Sequence, residues 1–282
     1  MKFWDIYSSW EEAEEAWDRE AKTVCVEEPL VPVIVDRRFL KLKALFWAFR
    51  RDRRFSIVRK LLRRPVRYLY NYLSSLFFHP AYHREEDFFC FGIKNVHEWM
   101  GRSRDENTIL LLGFSYCQAP KECPMGRFSD RCMADPDHGV CRSCFIGKCL
   151  NTLPSERTEV IRITTLNAIG NRMLELLSEG RQVLFLITSC EMSIEMGGDF
   201  ANMVGCKGIG VKLRGRCCNT WKGFQLAEDG IKPGVTALAP STQRRVLSLL
   251  RYWREGKATY HSDQPEDGRK APISDSHERG VG

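Results

Sequence analysis

Val183-Leu184-Phe185-Leu186-Ile187 is the strongest strand signal in this chain of 282 residues. The apolar run is unbroken rather than alternating, which is typical of a strand covered on both faces of a sheet. A second run, Ile109-Leu110-Leu111-Leu112-Gly113-Phe114, has the same character. Strands of this kind that alternate with helical segments predict a parallel sheet between two helical layers.

Other elements follow from hydrophobic periodicity. We predict further strands at 160–163, 208–213 and 235–238. A helix predicted at 166–177 ends at Gly180, and a helix predicted at 241–253 takes Ser241 as its N-cap. The expected fold class is therefore α/β, with a largely parallel sheet, flanking helices and a cysteine-rich insertion.

Composition divides the chain into three regions. Residues 1–85 form an acidic and then basic helical region, residues 86–255 the cysteine-rich α/β domain, and residues 256–282 a polar tail that we expect to be disordered. Within the first region we predict a helix at 10–21 and a loop or edge strand at 24–35.

A mostly helical stretch is predicted at 38–78. We expect an interruption near Pro65 and an end at Pro80, because proline disfavours helical conformation in the residue before it.

The net charge of +7 is a local feature. Residues 1–35 carry a net charge of −6, residues 36–67 carry +11, and residues 68–282 carry only +2. A nearly neutral body argues against nucleic acid as a partner. The basic block 36–67 is interleaved with aromatic and aliphatic residues, which favours an anionic membrane surface as partner. The alternative is a solvated helical face whose intramolecular partner is the acidic segment 1–35.

Localisation follows from two absences in the sequence. No apolar run reaches the roughly 18 residues of a membrane-spanning helix. Met1 is followed by an acidic, Trp-rich segment rather than by a secretory signal. We therefore expect a cytoplasmic protein in a reducing compartment, with 36–67 offering a peripheral position on the inner face of the membrane.

The chain has 12 cysteines, and six of them fall within residues 117–149. Without a secretory signal, this density favours metal binding over a disulfide framework. The tightest group is Cys141-x-x-Cys144 followed by Cys149, for which Cys123 is the natural fourth ligand. Cys132 and His138 compete for that fourth position.

Three other cysteines follow predicted strands. Cys117, Cys190 and Cys217 come three or four residues after the strands at 109–114, 183–187 and 208–213. The carboxyl ends of parallel strands meet at one edge of a sheet, where open α/β folds bind ligands. We expect these thiols to converge there, although small buried cysteines are also common at strand ends.

Thiolate ligands suit zinc and iron–sulfur clusters alike. Eight predicted ligands would suffice for two four-cysteine clusters: Cys117, Cys123, Cys132, Cys141, Cys144, Cys149, Cys190 and Cys217. We expect one or two iron–sulfur clusters, with zinc as the alternative. The predicted role is electron transfer or a redox step on a small ligand, together with a redox partner protein.

Two other functions stay open. One is a zinc-stabilised interaction module at a membrane surface. The other is a thiol-dependent enzyme, for which Cys190 at a strand end beside Glu191 is the candidate nucleophile.

Ligand-binding candidates surround Cys217. Asn219 and Thr220 begin a predicted helix whose free N–H groups would face the same crevice, and Thr220 is also a plain N-cap candidate. Arg214 would pair with an anionic ligand or lie solvated.

Four elements occur in an order that resembles the domain of unknown function 116 family of bacteria and archaea. They are Cys123-Pro124, Cys141-x-x-Cys144-x₄-Cys149, Ser189-Cys190-Glu191 and Gly210-Val211-x-Leu213-x-x-x-Cys217-x-Asn219-Thr220. The resemblance covers roughly residues 110–240. It implies a cysteine-rich metal-binding protein, often with a hydrophobic or membrane-associated amino-terminal region, and implies no particular reaction. The chain departs from the family in the wider spacing before Cys149 and in Thr164-Thr165-Leu166-Asn167, where a Gly-Gly-Ser turn is expected.

Overall fold

A computed structural model describes residues 7–21, 37–52, 54–77, 82–153, 156–218 and 220–255. Two predictions, the loop or edge strand at 24–35 and the disordered tail at 256–282, lie outside the described residues. The described chain has the predicted α/β fold, with a six-stranded, mostly parallel sheet flanked by helices.

The sheet has the strand order β1-β2-β6-β5-β3-β4. Its strands are β1 (His83–Glu85), β2 (Phe88–Phe91), β3 (Thr108–Ser115), β4 (Thr158–Ile163), β5 (Gln182–Ser189) and β6 (Lys207–Lys212). β3 to β6 pair in parallel and confirm the four strands predicted there, whereas the antiparallel β1–β2 hairpin was not predicted. The strand predicted at 235–238 is the short β8 (Thr236–Ala237), which pairs with β7 (Arg214–Gly215) outside the main sheet.

Four helices of the described residues precede the sheet. They are α1 (Trp10–Ala21), α2 (Arg37–Arg51), α3 (Ser56–Leu61) and α4 (Pro65–Phe77). The break before Pro65 was predicted, and a further break at 52–55 was not. None of the described helices is long and apolar enough to cross a membrane.

Seven helices belong to the α/β part. They are α5 (Val96–Arg102), α6 (Gly139–Ser143), α7 (Phe145–Leu150), α8 (Leu166–Ser178), α9 (Glu191–Val204), α10 (Trp221–Glu228) and α11 (Pro240–Glu255). The predicted N-cap at Ser241 is wrong, because α11 begins at Pro240 and contains Ser241 in its first turn. A proline suits the first helical position, where no hydrogen bond from its nitrogen is required.

The sheet separates two apolar layers. Alternate strand side chains such as Leu110 and Leu186 pack with residues of α5 and α11, while Leu111 and Phe185 pack with α8 and α9. The central strands are therefore buried on both faces, which explains their continuous apolar sequence.

Ion pairs join the acidic helix α1 to the α/β part. Its carboxylates form ion pairs with Lys121, Arg216 and Lys222, which belong to the α/β part. Helices α2, α3 and α4 pack instead on α8 and α9. The basic helices are thus docked on the domain, and α1 shares an apolar cluster with α2 through Trp17 and Trp47. The acidic segment as partner of the basic block stays a prediction.

The chain order creates a switch point at the centre of the sheet. The connection after β3 leads outward to β4, and the connection after β5 leads to β6 on the opposite side. Loops that diverge in this way leave a crevice at the carboxyl ends of the two strands. Cys117 and Cys190 follow these two strands directly.

Gly198 allows α9 to lie close to β2. A Cβ atom at this position would stand 1.9 Å from a ring carbon of Phe91, whose side chain is buried. The two glycines Gly197 and Gly198 also hide α9 from sequence-based prediction, because glycine is a poor helix former.

We expect Gly198→Ala to destabilise the fold by about 1–3 kcal/mol, because the added methyl group overpacks against Phe91. Gly101→Ala is the matched control, since a Cβ in that helix meets nothing within 4 Å. The control should be neutral or up to about 1 kcal/mol more stable. Urea unfolding of both variants measures the difference, and equal stabilities would contradict the close approach.

Candidate functional site

Four cysteines gather around Lys232 at the carboxyl edge of the sheet. They are Cys117, Cys190, Cys217 and Cys218, called the edge set below, and all four interact electrostatically with the ammonium group of Lys232. The predicted convergence of the first three is thus present. Cys218 was not among the eight predicted ligands, and Lys232 was not predicted at all, although the adjacent pair of cysteines at 217 and 218 was visible in the sequence.

Cys190 holds the central sulfur of the edge set. It is the N-cap residue of α9, and the Lys232 Nζ lies 3.5 Å from its Sγ. The thiols of Cys217 and Cys218 lie beside this sulfur, and together with Lys232 and the backbone N–H of Cys218 they hold the pKa of Cys190 well below its usual value. In the folded chain the S–H of Cys217 donates to the carbonyl of Leu213, and the S–H of Cys218 to that of Gly223. The non-covalent interaction with Cys190 and burial both raise the pKa of Cys217 and of Cys218. One thiolate among neutral thiols results.

Lys232 is completely buried, with 0% of its surface exposed. Burial alone would lower its pKa, but the surrounding cysteines raise it instead. Among the described residues it forms no ion pair with a carboxylate. An unpaired buried ammonium is costly, so the Cys190 thiolate is the counter-charge that this lysine requires.

Arg127 holds a long irregular segment, 119–138, next to the edge set through hydrogen bonds. Its guanidinium is buried and donates to the carbonyls of Cys117, Ala119, Lys232, Pro233 and Gly234. This one side chain therefore ties the segment after β3 to the segment that carries Lys232.

A second group of cysteines lies within this insertion. Cys123, Cys132, Cys141 and Cys144, called the loop set below, line one cavity of about 20 Å³. Cys132 and His138 were the predicted competitors for the fourth ligand position. Cys132 lies in the loop set, whereas His138 is exposed. Cys149 does not line this cavity. It lies on α7 with 0% of its surface exposed and packs in the apolar core, where burial raises its pKa.

Gly147 brings the elements of the loop set together. A Cβ at this position would stand 2.2 Å from the carbonyl oxygen of Cys141, so only glycine lets α7 lie this close to α6. The close contact turns the chain between the two short helices, where Cys144 is located.

Arg162 lies beside the loop set and is only 2% exposed. Its Nη1 donates to the Sγ of Cys123 at 3.7 Å, and its other contacts are the carbonyls of Gly126, Arg127 and Arg131. Its Nε is buried and has no hydrogen-bond partner among the described residues. No carboxylate of the described chain forms an ion pair with this guanidinium, which is met by three backbone carbonyls and by the sulfur of Cys123.

One residue with a strained backbone, Ala134, lies at the loop set. Ala134 has a φ of +47°, in the left-handed region that costs an alanine about 1–2 kcal/mol. Its backbone N–H donates to the sulfur of Cys132. The strained residue therefore supplies a donor to one of the four thiols.

An apolar cavity of about 80 Å³ opens onto the edge set. Cys117, Cys190, Cys218 and Lys232 form one end of it, and side chains such as Ile169 and Phe200 line the rest. Glu228 also lines this cavity. Its carboxylate accepts hydrogen bonds from the Leu166 N–H at 2.8 Å and the Trp47 Nε1 at 3.4 Å, and burial raises its pKa to about 7.

Two of the predicted ligand-binding residues have partners within the chain. Arg214 pairs with Asp87 at 3.0 Å, and Thr220 caps α10 by accepting the Gly223 N–H. Asn219 lies outside the described residues. The remaining described cysteines, Cys90 and Cys206, are buried, and burial raises the pKa of each to about 12.

Within the described ranges, no three side chains of His, Cys, Asp or Glu converge closely enough to hold a metal ion as they stand. No protein-family model, curated protein or solved structure matches the chain. The resemblance to the domain of unknown function 116 family, and the assignment of the eight cysteines to metal, therefore stay predictions. Function is therefore inferred below from the geometry of the site.

We expect Glu228→Gln to remove a pH dependence of stability. Folded Glu228 keeps its proton up to about pH 7, whereas its ordinary pKa is 4.5. Below pH 4.5 the bound proton stabilises the folded state fully. This stabilisation is lost as the pH rises to about 7. Relative to wild type, the glutamine variant should gain up to roughly 3 kcal/mol over this range.

Urea unfolding at about pH 5 and about pH 8 measures this gain. Glu122→Gln, at an exposed glutamate, is the control and should show no such gain. A Glu228→Gln variant with the same relative stability at both pH values would contradict the buried, protonated carboxyl.

Proposed function

We propose that the protein binds a thiolate-ligated metal at the loop set and uses its cysteines for a redox step on a small ligand. The observation that carries the metal proposal is the buried guanidinium of Arg162, which touches Cys123 and has no carboxylate partner in the described chain. Four thiolates around a divalent metal carry a net charge of about −2, and such a group would supply the missing negative charge.

The donor set fits a metal in its chemistry. Four cysteines line a single cavity, Ala134 donates an N–H to one of the sulfurs, and Arg162 has a buried Nε without a partner. Donors aimed at sulfur favour thiolates over thiols, although burial raises the pKa of Cys132 overall. Binding would require the four side chains to turn from the cavity wall toward one point.

The size of the cavity favours a single ion. A volume of about 20 Å³ is close to the space that one water molecule needs. Zinc, with four thiolates at about 2.3 Å, requires little more than this. An iron–sulfur cluster, which adds inorganic sulfide as well as iron, would require the insertion to open. When bound, zinc would supply a crosslink, and an iron–sulfur cluster would supply an electron carrier.

The edge set is not included in the metal proposal. The ammonium of Lys232 already lies among its sulfurs and provides the positive charge that a metal would bring. Metal at the loop set would instead order the segment that Arg127 holds over the edge set. The redox step therefore belongs to the edge set, and the metal supports it from the neighbouring loop.

We expect full-length protein purified anaerobically to contain about one equivalent of zinc, and Cys141→Ala to lose most of it, because one of four thiolate ligands is gone. Cys149→Ala is the matched control, since Cys149 lies on the same pair of helices but does not line the cavity. Zinc, iron and acid-labile sulfide are all quantified.

Iron and sulfide in place of zinc would contradict the single-ion argument and restore the iron–sulfur expectation. Metal-free wild-type protein, or equal loss of metal from both variants, would contradict the metal site at the loop set.

A second candidate function is binding to an anionic membrane surface. Ten of the fourteen large apolar side chains that are exposed in the described chain lie between Leu42 and Phe77. They include Phe46 at 68%, Leu62 at 67% and Val66 at 80% exposure. Exposed apolar groups concentrated in this way mark interaction surfaces.

The charged side chains of this surface indicate which kind of partner it binds. The exposed arginines of this surface are Arg50, Arg54, Arg59, Arg63, Arg64 and Arg67, and they stand among the exposed apolar side chains of α2, α3 and α4. Asp52, the acidic residue described within this stretch, is buried and caps α3 through the N–H groups of Ile57 and Val58. Basic and aromatic side chains without exposed acids suit anionic lipid headgroups.

We expect the double variant Arg63→Gln, Arg64→Gln to bind vesicles of 30% anionic lipid about 10- to 30-fold more weakly than wild type, since each arginine near the surface contributes about 1 kcal/mol. The control Arg142→Gln, Arg251→Gln removes the same charge at exposed positions elsewhere and should bind like wild type. Co-sedimentation measures both. Equal losses in the two variants, or wild-type protein that stays in the supernatant, would contradict a membrane surface on these helices.

A further inference from the structure

We infer that the edge set is a dithiol that reduces small disulfides with short apolar substituents. Cys190 is the attacking thiolate and Cys218 is the resolving thiol. The apolar cavity beside them receives the substituent. This inference does not depend on metal at the loop set, so the two proposals can fail separately.

The position of Cys190 provides an attacking sulfur. It stands between the end of β5 and the first turn of α9, a helix of 14 residues whose free N–H groups favour an anion. The fully buried Lys232 approaches this sulfur at 3.5 Å and has no carboxylate partner in the described chain. Lys232 therefore requires a thiolate at Cys190, and a thiolate is the form that attacks disulfides.

The neighbouring thiols favour redox exchange over acyl transfer. The thiols of Cys217 and Cys218 are neighbours of the Cys190 sulfur, and their S–H groups donate to the backbone carbonyls of Leu213 and Gly223. Acyl transfer through a thioester requires one thiol only. Reduction of a disulfide by the protein requires a second thiol, which resolves the mixed disulfide. Cys218 lines the apolar cavity together with Cys190, and Cys217 does not, so Cys218 is the resolving thiol that the incoming disulfide meets.

The cavity selects the substituent. Its walls away from the sulfurs are mostly apolar, with Thr164, Ser193 and Glu228 as polar exceptions, and its volume is about 80 Å³. A cavity of about 150 Å³ holds benzene, so roughly half that volume holds a chain of a few carbons. Large or charged disulfides do not fit it, because burying their polar groups without partners is costly.

The reaction balances in two exchanges. The Cys190 thiolate attacks one sulfur of R–S–S–R′, forms a Cys190–S–S–R bond and releases R′–S⁻, which takes a proton from Lys232. The neutral Lys232 amine accepts the proton of Cys218, whose thiolate attacks Cys190. The Cys190–Cys218 disulfide forms and R–S⁻ leaves with a proton from Lys232. Two protein thiols are oxidised, one disulfide is reduced to two thiols, and Lys232 ends neutral beside a neutral disulfide.

Diethyl disulfide is the probe, added anaerobically to reduced full-length protein, with peptide mapping by mass spectrometry as the readout. We expect a Cys190–Cys218 disulfide and two equivalents of ethanethiol. In Cys218→Ser the second exchange is blocked, so one ethylthio group should stay on Cys190. Cys206→Ser, at another buried cysteine, is the control and should react like wild type.

Selectivity tests the cavity. Oxidised glutathione, which is large and charged, should react with Cys190 at least about 10-fold more slowly than diethyl disulfide. Ser193→Leu adds bulk to the cavity wall and should slow diethyl disulfide while leaving methyl methanethiosulfonate, a smaller reagent, unaffected.

Three results would overturn the inference. They are an ethylthio group trapped on a cysteine other than Cys190, no preference for the apolar disulfide, or metal bound to Cys190 in the isolated protein. Mapping of the wild-type disulfide decides the first point even if Cys218→Ser does not fold.

Discussion

Three buried cations without carboxylate partners shape this molecule. Arg127, Arg162 and Lys232 are each at most 5% exposed, and none forms an ion pair with a carboxylate of the described chain. Arg127 is accommodated by backbone carbonyls, but Arg162 and Lys232 each contact a cysteine sulfur. Since an uncompensated buried charge is expensive, we propose that both cysteine sets carry negative charge in the folded state.

The two sets meet this requirement differently. At the edge set one ammonium faces one thiolate, which leaves a compact ion pair beside an apolar cavity. At the loop set one guanidinium faces four thiols around a space of ionic size, which suits a metal with excess thiolate charge. The irregular segment 119–138, held by Arg127, connects them, so a crosslink in the insertion would also stabilise this segment beside the reactive edge.

The sequence predicted the sheet well because its signal is local. Unbroken apolar runs at 109–114 and 183–187 mark strands covered on both faces, and parallel pairing then brings Cys117 and Cys190 to one edge. The hairpin at 83–91 and helix α9 escaped prediction, because short strands and a glycine pair carry weak local signals. The site was only partly predictable. Spacing suggested Cys149 as a ligand, whereas α7 directs it into the core, and Lys232 acquires its role only through tertiary contacts.

X-ray absorption at the metal edge of the full-length protein tests the central claim most directly, because it reports the atoms bound to the metal rather than its presence. The account predicts a zinc edge with a first shell of four sulfur atoms at about 2.3 Å and no nitrogen or oxygen ligand. The Cys149→Ala variant should give the same spectrum. A shell containing nitrogen or oxygen, or the absence of any metal edge, would contradict a thiolate centre as the partner of Arg162.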